Sequence, residues 1–324
     1  MRVLFIFRKK TPHQFSIENV FNNIISEIST KKHVEVFKYE TNGIRNIFFD
    51  SKKIKEYNAD VNVITGDCNF LSPFISKKVM LVVHDAGHYE FTLKGLKKII
   101  YGLIWWRIPL KFTNSVICVS NNTKISLNRL FNINLNKIKV IENPVDSSFF
   151  RIVKKKVSKV PRILQIGTGP HKNLENIIKA ISGLNCVFNI TGQLSNDQIR
   201  LLKKFKINYI SYVNIDFKDI IKLYNDTDIV TVISQGEGFG LPIIEAQASS
   251  RALITSQLEP MSSISGNFAC KVDPNNIKSI RKNILKLIND ENYRSKIINE
   301  GKKNSEKYRV DDIANKYLSY MFQL

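Results

Sequence analysis

Short aliphatic runs alternate along the chain with longer stretches in which apolar residues recur at helical spacing. Six of these runs cover residues 61–65, 79–83, 116–119, 163–166, 187–190 and 229–233. Runs that are apolar at consecutive positions are typical of parallel strands buried on both faces. Their alternation with helical patterns predicts parallel sheets joined by crossover helices, and therefore an α/β fold.

A polar, basic segment interrupts this alternation at residues 151–162. It contains three consecutive lysines and Pro161, and a fresh aliphatic run begins directly after it. We place a domain boundary here and predict an N-terminal domain of residues 1–152 and a second domain of residues 153–305. Ligands of open parallel sheets bind at the carboxyl ends of the strands. Two such domains that face each other would therefore hold a ligand in a central cleft.

The most informative segment follows the last of the six aliphatic runs. Residues 236–245 read Gly-Glu-Gly-Phe-Gly-Leu-Pro-Ile-Ile-Glu, so two carboxylates, Glu237 and Glu245, stand eight positions apart. The apolar stretch 241–248 predicts a helix whose first turn accommodates Pro242. Glycines let a ligand approach the backbone, and the free N–H groups of a helix start bind phosphate. Carboxylates accept hydrogen bonds from sugar hydroxyls, so the segment suits a ligand with both phosphate and hydroxyl groups. The alternative is a glycine-rich turn whose acid caps a helix.

The two glutamates separated by seven residues, with Gly-Phe-Gly-Leu-Pro between them, resemble the signature of the GT4 family of retaining glycosyltransferases. Further segments resemble the family in the same order along the chain: 2–7, 84–85, 116–120, 142–146, 163–173 and 190–192. The resemblance implies a GT-B fold, with two Rossmann-like parallel-sheet domains facing a central cleft. It assigns the acceptor to the first domain and the nucleotide-sugar to the second. It also implies that the C-terminal helix, residues 306–324, returns to the first domain.

The resemblance implies catalytic roles for three residues. Glu237 would hold donor-sugar hydroxyls at the reacting centre, Lys172 would neutralise the diphosphate, and His84 would contact the donor sugar and phosphate. Glu245 would hold the ribose hydroxyls. The other donor-binding residues, several of them through their backbone, are Gly236, Gly238, Phe239, Gly240, Leu241, Thr168 and Val213. A solvated loop lysine and a structural histidine are the alternatives for Lys172 and His84.

The sequence departs from the family pattern in two loops. Thr168 stands where the family often has an arginine, so this threonine or backbone N–H groups would have to replace one phosphate contact. The first loop, residues 8–18, replaces a short Gly-Gly loop. We expect it to shape the acceptor site, with Arg8 or Lys10 near phosphate and Ser16 as the N-cap of a helix from residue 17. We also place His88 on the acceptor side. A mobile basic loop is the alternative.

Residues 91–111 combine basic and apolar residues. A helix there has one face of Leu96, Ile99, Ile100 and Leu103 and another of Lys94, Lys97, Lys98, Tyr101 and Trp105. Basic residues with tryptophan suit an anionic membrane interface. An ordinary core-facing helix with a solvated lysine face is the alternative. The Trp105–Trp106 pair suits either the core or acceptor binding.

The net charge of +21 at pH 7 favours anionic partners, and it is spread over both halves of the 324 residues. The chain has neither a zinc-finger nor an RNP-type motif, so we expect no specific nucleic acid partner. Its four cysteines, Cys68, Cys118, Cys186 and Cys270, show no metal-ligand spacing, and Cys118 sits in an apolar run typical of a buried thiol. Neither a membrane-spanning apolar stretch nor a signal-peptide pattern is present. We therefore predict a cytoplasmic protein, peripheral at the inner face of the cell membrane.

These observations together favour a retaining glycosyltransferase that needs no metal or cofactor and uses a nucleotide-sugar as donor. Its acceptor would be a glycan, lipid-linked, in the synthesis of a bacterial capsule or lipopolysaccharide. One alternative is a GT-B enzyme that hydrolyses or epimerises sugar nucleotides. Another is a non-catalytic module that binds carbohydrate or nucleic acid.

Overall fold

The structure is a computed structural model that describes residues 1–9, 16–153 and 156–324. Its strands are β1 (Arg2–Phe7), β2 (Glu35–Glu40), β3 (Val61–Ile64), β4 (Lys78–Val83), β5 (Ser115–Cys118), β6 (Ile138–Val140), β7 (Arg162–Ile166), β8 (Val187–Thr191), β9 (Tyr209–Tyr212), β10 (Ile229–Val232), β11 (Ala252–Ser256) and β12 (Cys270–Val272). All six predicted runs and the N-terminal segment 2–7 are strands.

The helices include the one predicted after the glycine-rich loop, which begins and ends at the predicted residues. They are α1 (Ser16–Ser29), α2 (Ile47–Glu56), α3 (Gly95–Tyr101), α4 (Ile108–Phe112), α5 (Asn121–Phe131), α6 (Ser147–Phe150), α7 (Leu174–Ile181), α8 (Asn196–Lys204), α9 (Phe217–Asp226), α10 (Leu241–Ala248), α11 (Met261–Ser265), α12 (Ile277–Asn289), α13 (Glu291–Ser305) and α14 (Val310–Gln323).

The chain divides into two compact units. Unit 1 comprises residues 1–144 and 310–324, and unit 2 comprises residues 145–309. Unit 1 holds a parallel sheet of strand order β2-β1-β3-β4-β5-β6. Helix α14 packs against α1 in this unit. The aliphatic side chains of its strands, among them Leu4, Ile6 and Leu81, are fully buried in the hydrophobic core of this unit. Each such side chain stabilises the fold by about 1.5–3 kcal/mol relative to an exposed one.

Unit 2 holds a second parallel sheet, of strand order β12-β11-β10-β7-β8-β9. The chain starts in the middle of this sheet at β7, adds β8 and β9 on one side, and then returns to add β10 on the other. The order therefore reverses between β7 and β10. Crevices that bind ligands in open α/β sheets lie at such reversals, beyond the carboxyl ends of the strands.

The units meet in sequence at 144/145 and 309/310, whereas we predicted boundaries at 152/153 and 305/306. Residues 145–150 belong to unit 2 for two structural reasons. The backbone N–H of Val145 donates to the carbonyl of Tyr308 at 2.8 Å. The Phe149 ring is buried and contacts Tyr224 with ring centroids 5.0 Å apart. A break in sequence composition therefore marks a loop inside unit 2 and not the boundary itself.

The apolar face of the segment 91–111 does not point into the core, contrary to what the core-facing alternative required. Leu96, Ile99, Ile100 and Leu103 are exposed by 71%, 67%, 49% and 47%, so that alternative is wrong. The opposite face packs against the core of unit 1, because Trp105 lies edge-on against Phe70 with ring centroids 5.2 Å apart and Tyr101 also contacts that core.

Trp106 is buried in the core of unit 1 and stacks on Phe131. The segment is helical from residue 95 to residue 112 with a π-helical stretch at Gly102–Arg107.

All four cysteines are buried free thiols, which confirms the prediction for Cys118. Within the described ranges, no helix is long and apolar enough to cross a bilayer. In the same ranges, no three His, Cys, Asp or Glu side chains lie close enough together to hold a metal ion.

Candidate functional site

The loops that follow β7 and β10 leave the sheet of unit 2 side by side, because these two strands are paired. Lys172 ends a short 3₁₀ turn (Pro170–Lys172) after β7, and Glu237 lies in the glycine-rich loop after β10. The carboxyl ends of adjacent parallel strands meet at one edge of a sheet. The sheet order therefore brings together two predicted site residues that stand far apart in sequence.

Lys172 and Glu237 form an ion pair with 2.6 Å between Nζ and Oε1. Their side chains are only 17% and 12% exposed, so water screens this pair weakly. The hydroxyl of Ser234, a fully buried residue, donates to the same Glu237 oxygen at 2.7 Å. Gly167 makes room for the lysine, since a Cβ there would lie 3.2 Å from Lys172 Cε. Glu237 is thus fixed by two donors at the edge of the sheet.

Buried hydrogen bonds fix the two loops relative to each other. Asn173 adopts a left-handed conformation, with φ of 60°, and its side-chain amide donates to the carbonyls of Ile233 and Pro274 at 3.1 and 2.7 Å. The backbone N–H of Gln235 donates to the carbonyl of His171 at 2.8 Å. The loop after β7 is therefore tied directly to the loop after β10, and the Lys172–Glu237 pair rests on a rigid base.

Glu245, about one turn inside α10, faces the same edge. It accepts a hydrogen bond from the hydroxyl of Tyr224, with 2.6 Å between Oη and Oε2. Burial raises the pKa of Glu245 to about 7, and the Tyr224 hydrogen bond and the charge of Lys172 oppose that rise. A carboxyl group in this state exchanges a proton near neutral pH, whereas an ordinary glutamate is fully ionised there.

The glycine-rich loop ends in a conformation that only its last glycine tolerates well. Gly240 caps α10 with φ of 94° and ψ of 57°, and a Cβ there would lie 3.0 Å from Ile243 Cδ1. Pro242 occupies the first turn, as predicted. Phe239 is buried, with its ring edge on Tyr308, so only its backbone remains for a ligand. Gly236 is different, because a Cβ there would meet nothing within 4 Å.

We predict that Gly240→Ala lowers the free energy of unfolding by about 1–3 kcal/mol, because it imposes a left-handed conformation and a steric contact. The matched change Gly236→Ala should alter stability by less than about 0.5 kcal/mol. Urea unfolding followed by circular dichroism measures both values. Equal stabilities of the two variants would contradict this account of the loop.

Two of the predicted donor-binding residues, Thr168 and Val213, are less well placed to bind a donor than Lys172 and Glu237. The Thr168 hydroxyl donates to the carbonyl of Gln193 at 2.6 Å, which uses its single hydrogen. In this arrangement the hydroxyl cannot also donate to a phosphate, and backbone N–H groups stay the predicted alternative for the missing arginine. Val213 follows β9, an edge strand two positions from β7, and is 42% exposed. The structure shows no contact of Val213 with the Lys172–Glu237 pair.

His84 directly follows β4 in unit 1. Its Nε2 lies 2.8 Å from the carbonyl oxygen of Thr65, and its ring lies against Gly66, where a Cβ would come within 3.1 Å of the imidazole. Burial lowers the pKa of His84, so the ring is neutral at pH 7. Because a carbonyl only accepts, Nε2 carries the hydrogen and Nδ1 is left as an acceptor. Such a ring suits a sugar hydroxyl and cannot donate to a phosphate.

The residues predicted on the acceptor side have other partners or lie elsewhere. Arg8 pairs with Glu18 at 2.8 Å and lies 3.6 Å from Asp67, so two carboxylates balance its charge in this structure, and its place near phosphate stays a prediction. His88 is exposed, with its ring edge on Tyr101. Lys10 lies outside the described residues. Helix α1 begins at Ser16, and the role of that side chain as an N-cap stays a prediction.

Sequence reasoning missed four residues of these sites: Ser234, Asn173, Tyr224 and Gly66. Ser234 directly follows the aliphatic run 229–233, so the position after that run was a usable signal. Asn173 is the last residue of the segment 163–173 that resembles the family, but the sequence gave it no role of its own. Tyr224 gave no local signal, because its hydroxyl meets Glu245 only in the folded unit. The close approach of His84 to Gly66 is likewise a contact between neighbouring strand ends.

Two family models match the chain. The model of glycosyl transferases group 1 covers residues 146–304, and the model of glycosyltransferase family 4 covers residues 27–149. The chain belongs to the GT4-type glycosyltransferases. The matched ranges together include Lys172, Glu237, Glu245 and His84.

Named relatives of this GT4-type chain act on bacterial glycans. It is 28% identical to the O-antigen chain mannosyltransferase RfbU of Salmonella typhimurium over 209 residues, 61% of this chain and 58% of that protein. It is 24% identical over 208 residues to the N,N'-diacetylbacillosaminyl-diphospho-undecaprenol alpha-1,3-N-acetylgalactosaminyltransferase of Campylobacter jejuni, 62% of this chain and 53% of the relative. The chain thus spans little more than half the length of either relative.

A solved structure covers the whole GT4-type chain. HepE of Anabaena, in complex with UDP and glucose, superposes with a TM-score of 0.79 over 100% of both chains at 14% sequence identity. At this identity the likeness shows the fold alone. It confirms the GT-B fold that the sequence predicted.

Proposed function

We propose that this protein is a retaining glycosyltransferase that transfers a sugar from a nucleotide-sugar to a glycan acceptor. The observation that carries the proposal is the partly buried Lys172–Glu237 pair, 2.6 Å apart at the switch point of the unit 2 sheet. A cation for phosphate and an anion for hydroxyls stand together there, and Glu245 lies about one turn into the adjoining helix. Few ligands other than a sugar linked to a nucleoside diphosphate call for all three groups.

Each residue has a distinct proposed role. The Lys172 ammonium pairs with the diphosphate, and the backbone at residues 238–241, before the dipole of α10, supplies N–H donors. Glu237 accepts hydrogen bonds from the donor sugar, and Glu245 accepts them from the ribose. UDP is the first nucleotide to test, because a protein of the same fold binds it. We also propose that His84 contacts the donor, as the family resemblance implies.

The proposed reaction uses no protein nucleophile and no metal ion. The bond between the anomeric carbon and the departing phosphate oxygen breaks, and the acceptor oxygen bonds to that carbon from the same face. The acceptor proton passes to the leaving phosphate. The protein then acts by positioning the donor and by stabilising the charge on the diphosphate, which Lys172 and the start of α10 are placed to do.

We further propose that the acceptor is a lipid-linked glycan of a bacterial surface polysaccharide, taken from an anionic membrane. The names of the relatives support the acceptor class. The charge of unit 1 supports the membrane, since residues 91–141 contain nine basic residues and no acidic residue. Within this stretch the exposed apolar residues Leu96, Ile99, Ile100 and Leu103 lie among the lysines of α3. An apolar face bordered by positive charge binds anionic bilayers at their interface.

A thermal-shift screen of UDP-, GDP- and CMP-sugars tests the donor assignment. A ligand at about 100 times its Kd stabilises the folded state by about 2.7 kcal/mol, which corresponds to a rise in Tm of about 5 °C or more. Lys172→Met should abolish that rise, whereas Lys179→Met, a change at an exposed lysine of α7, should preserve it. A protein that no nucleotide-sugar stabilises would overturn the proposal. Products from a radiolabelled donor then distinguish transfer from hydrolysis or epimerisation.

A further inference from the structure

The side chain of Tyr224 ends on the carboxylate of Glu245, and the fold holds this tyrosine from several sides. It lies near the end of α9, is fully buried, and places its hydroxyl 2.6 Å from Glu245 Oε2. Its ring contacts Phe149 edge-on at 5.0 Å between centroids. Its backbone carbonyl accepts a hydrogen bond from Arg251 Nε at 2.7 Å. A buried hydroxyl held this firmly fixes the position of whatever it bonds.

We propose that Tyr224 is a positioning residue of the nucleotide site, whose hydroxyl orients the Glu245 carboxylate toward the ribose and favours its ionised form. This inference rests on the proposed function, because it takes Glu245 as the ribose-binding acid. Tyr224 itself touches no ligand in this scheme. It acts through Glu245.

The hydrogen-bonding capacity of the carboxylate explains why orientation matters. An ionised carboxylate has about four lone-pair sites, and Tyr224 occupies one of them on Oε2. The rest can accept the two neighbouring hydroxyls of a ribose, provided that the plane of the carboxylate faces them. Without the tyrosine hydroxyl, that plane is free to turn toward other donors. Among the described residues, Tyr224 is the side chain that donates to Glu245.

The charge state follows from the groups that surround Glu245. Burial raises the pKa of Glu245 to about 7, while the Tyr224 hydroxyl and the Lys172 ammonium lower it and Asp146 raises it. These groups come from α9, the loop after β7 and the start of α6. Two ribose hydroxyls donate best to an ionised acid, so protonation below about pH 7 competes with binding. Affinity should fall by up to about tenfold for each pH unit below that pKa and level off above it.

The test measures UDP-glucose binding by isothermal titration calorimetry from about pH 6 to about pH 8, well away from the ordinary pKa of a carboxylic acid. The esterified diphosphate of UDP-glucose does not itself titrate in this range, so a midpoint near neutrality reports the protein. For the wild type we expect Kd to fall about tenfold over the range. Tyr224→Phe should weaken binding at neutral pH by about tenfold or more and move the midpoint to higher pH, since a hydrogen bond to the ionised acid is lost. Glu245→Gln should abolish the pH dependence.

Matched controls separate this role from a general loss of stability. Tyr317→Phe removes the hydroxyl of another fully buried tyrosine, in unit 1, and should leave both Kd and its pH profile unchanged. Wild-type binding with no pH dependence would overturn the inference while leaving the proposed function intact. So would a Tyr224→Phe variant with the wild-type Kd and midpoint. If Tyr224→Phe does not fold, the Glu245→Gln variant still tests whether ionisation of Glu245 controls binding. A pH dependence that persists in Glu245→Gln would contradict it. A wild type that binds no UDP-glucose would overturn the inference and count against UDP as the donor nucleotide.

Discussion

Replacing Glu237 with glutamine is expected to lower kcat for sugar transfer by about 100-fold or more, the usual effect of removing one preorganised charged group from a reacting centre. Glutamine keeps the size of the side chain and an acceptor oxygen for Ser234 and Lys172. It removes the negative charge that faces the reacting sugar. The affinity for the nucleotide should change little, because Lys172 and Glu245 remain. Single-turnover kinetics with a radiolabelled donor, together with calorimetric titration of UDP, measure the two effects separately.

The control for this variant is Glu291→Gln, which removes an exposed carboxylate at the start of α13 in the same unit. Its kcat should match that of the wild type. A Glu237→Gln enzyme with full activity would remove Glu237 from the reacting centre. A variant that loses UDP affinity as severely as kcat would instead place Glu237 at the nucleotide, and would reassign the loop after β10 as a purely phosphate-binding element.

A triple variant, Leu96→Ser, Ile99→Ser and Leu103→Ser, is expected to weaken binding to anionic vesicles by about 100-fold or more. Each of these side chains is about half or more exposed in the protein, so each can bury new apolar surface in a bilayer interface. Burial of one such side chain contributes on the order of 1–2 kcal/mol. Co-sedimentation with vesicles of phosphatidylethanolamine and phosphatidylglycerol measures the partition coefficient. The free energy of unfolding should change little, because none of the three belongs to the core of unit 1 in the described part of the chain.

The matched control for the membrane variant is Ile125→Ser on α5, since Ile125 is 66% exposed in the same unit and Ile99 is 67% exposed. It should bind vesicles as the wild type does. Binding should also weaken when salt is raised or when phosphatidylglycerol is omitted, because the lysines and Arg107 contribute an electrostatic attraction. Equal binding of all variants to both kinds of vesicle would exclude this face as the membrane contact.

The regular part of the fold could be predicted because its signal is local. An aliphatic run such as 79–83 or 229–233 is by itself enough to identify a strand that is buried on both faces. Not every strand was predicted in this way. β11 is fully buried but has only three aliphatic residues before Thr255 and Ser256. β2 mixes charged and apolar residues at the edge of its sheet, and β6 has only three residues. Gly240 and Pro242 likewise fixed the start of α10 from their own backbone preferences.

Partners that meet across the sheet could not be predicted from local signals. The sequence suggested Lys172 for phosphate and Arg8 near phosphate with similar reasoning, yet one is paired with Glu237 and the other with Glu18. The helical period of residues 95–103 defined two faces without saying which one packs. The contact of Trp105 with Phe70 decided it, and that contact forms only when the two segments meet in the folded unit 1.

The order of the strands in unit 2 also constrains how the protein is made. β7 sits between β8 and β10, but β10 is the last of these three to be synthesised. A nascent chain that has emerged only as far as α9 holds Lys172 without Glu237, and it leaves the apolar edge of β7 open to pairing with other chains. Assembly of the candidate site is therefore a late folding event that closes a long loop, and partly synthesised chains are the stage at which aggregation should compete most strongly.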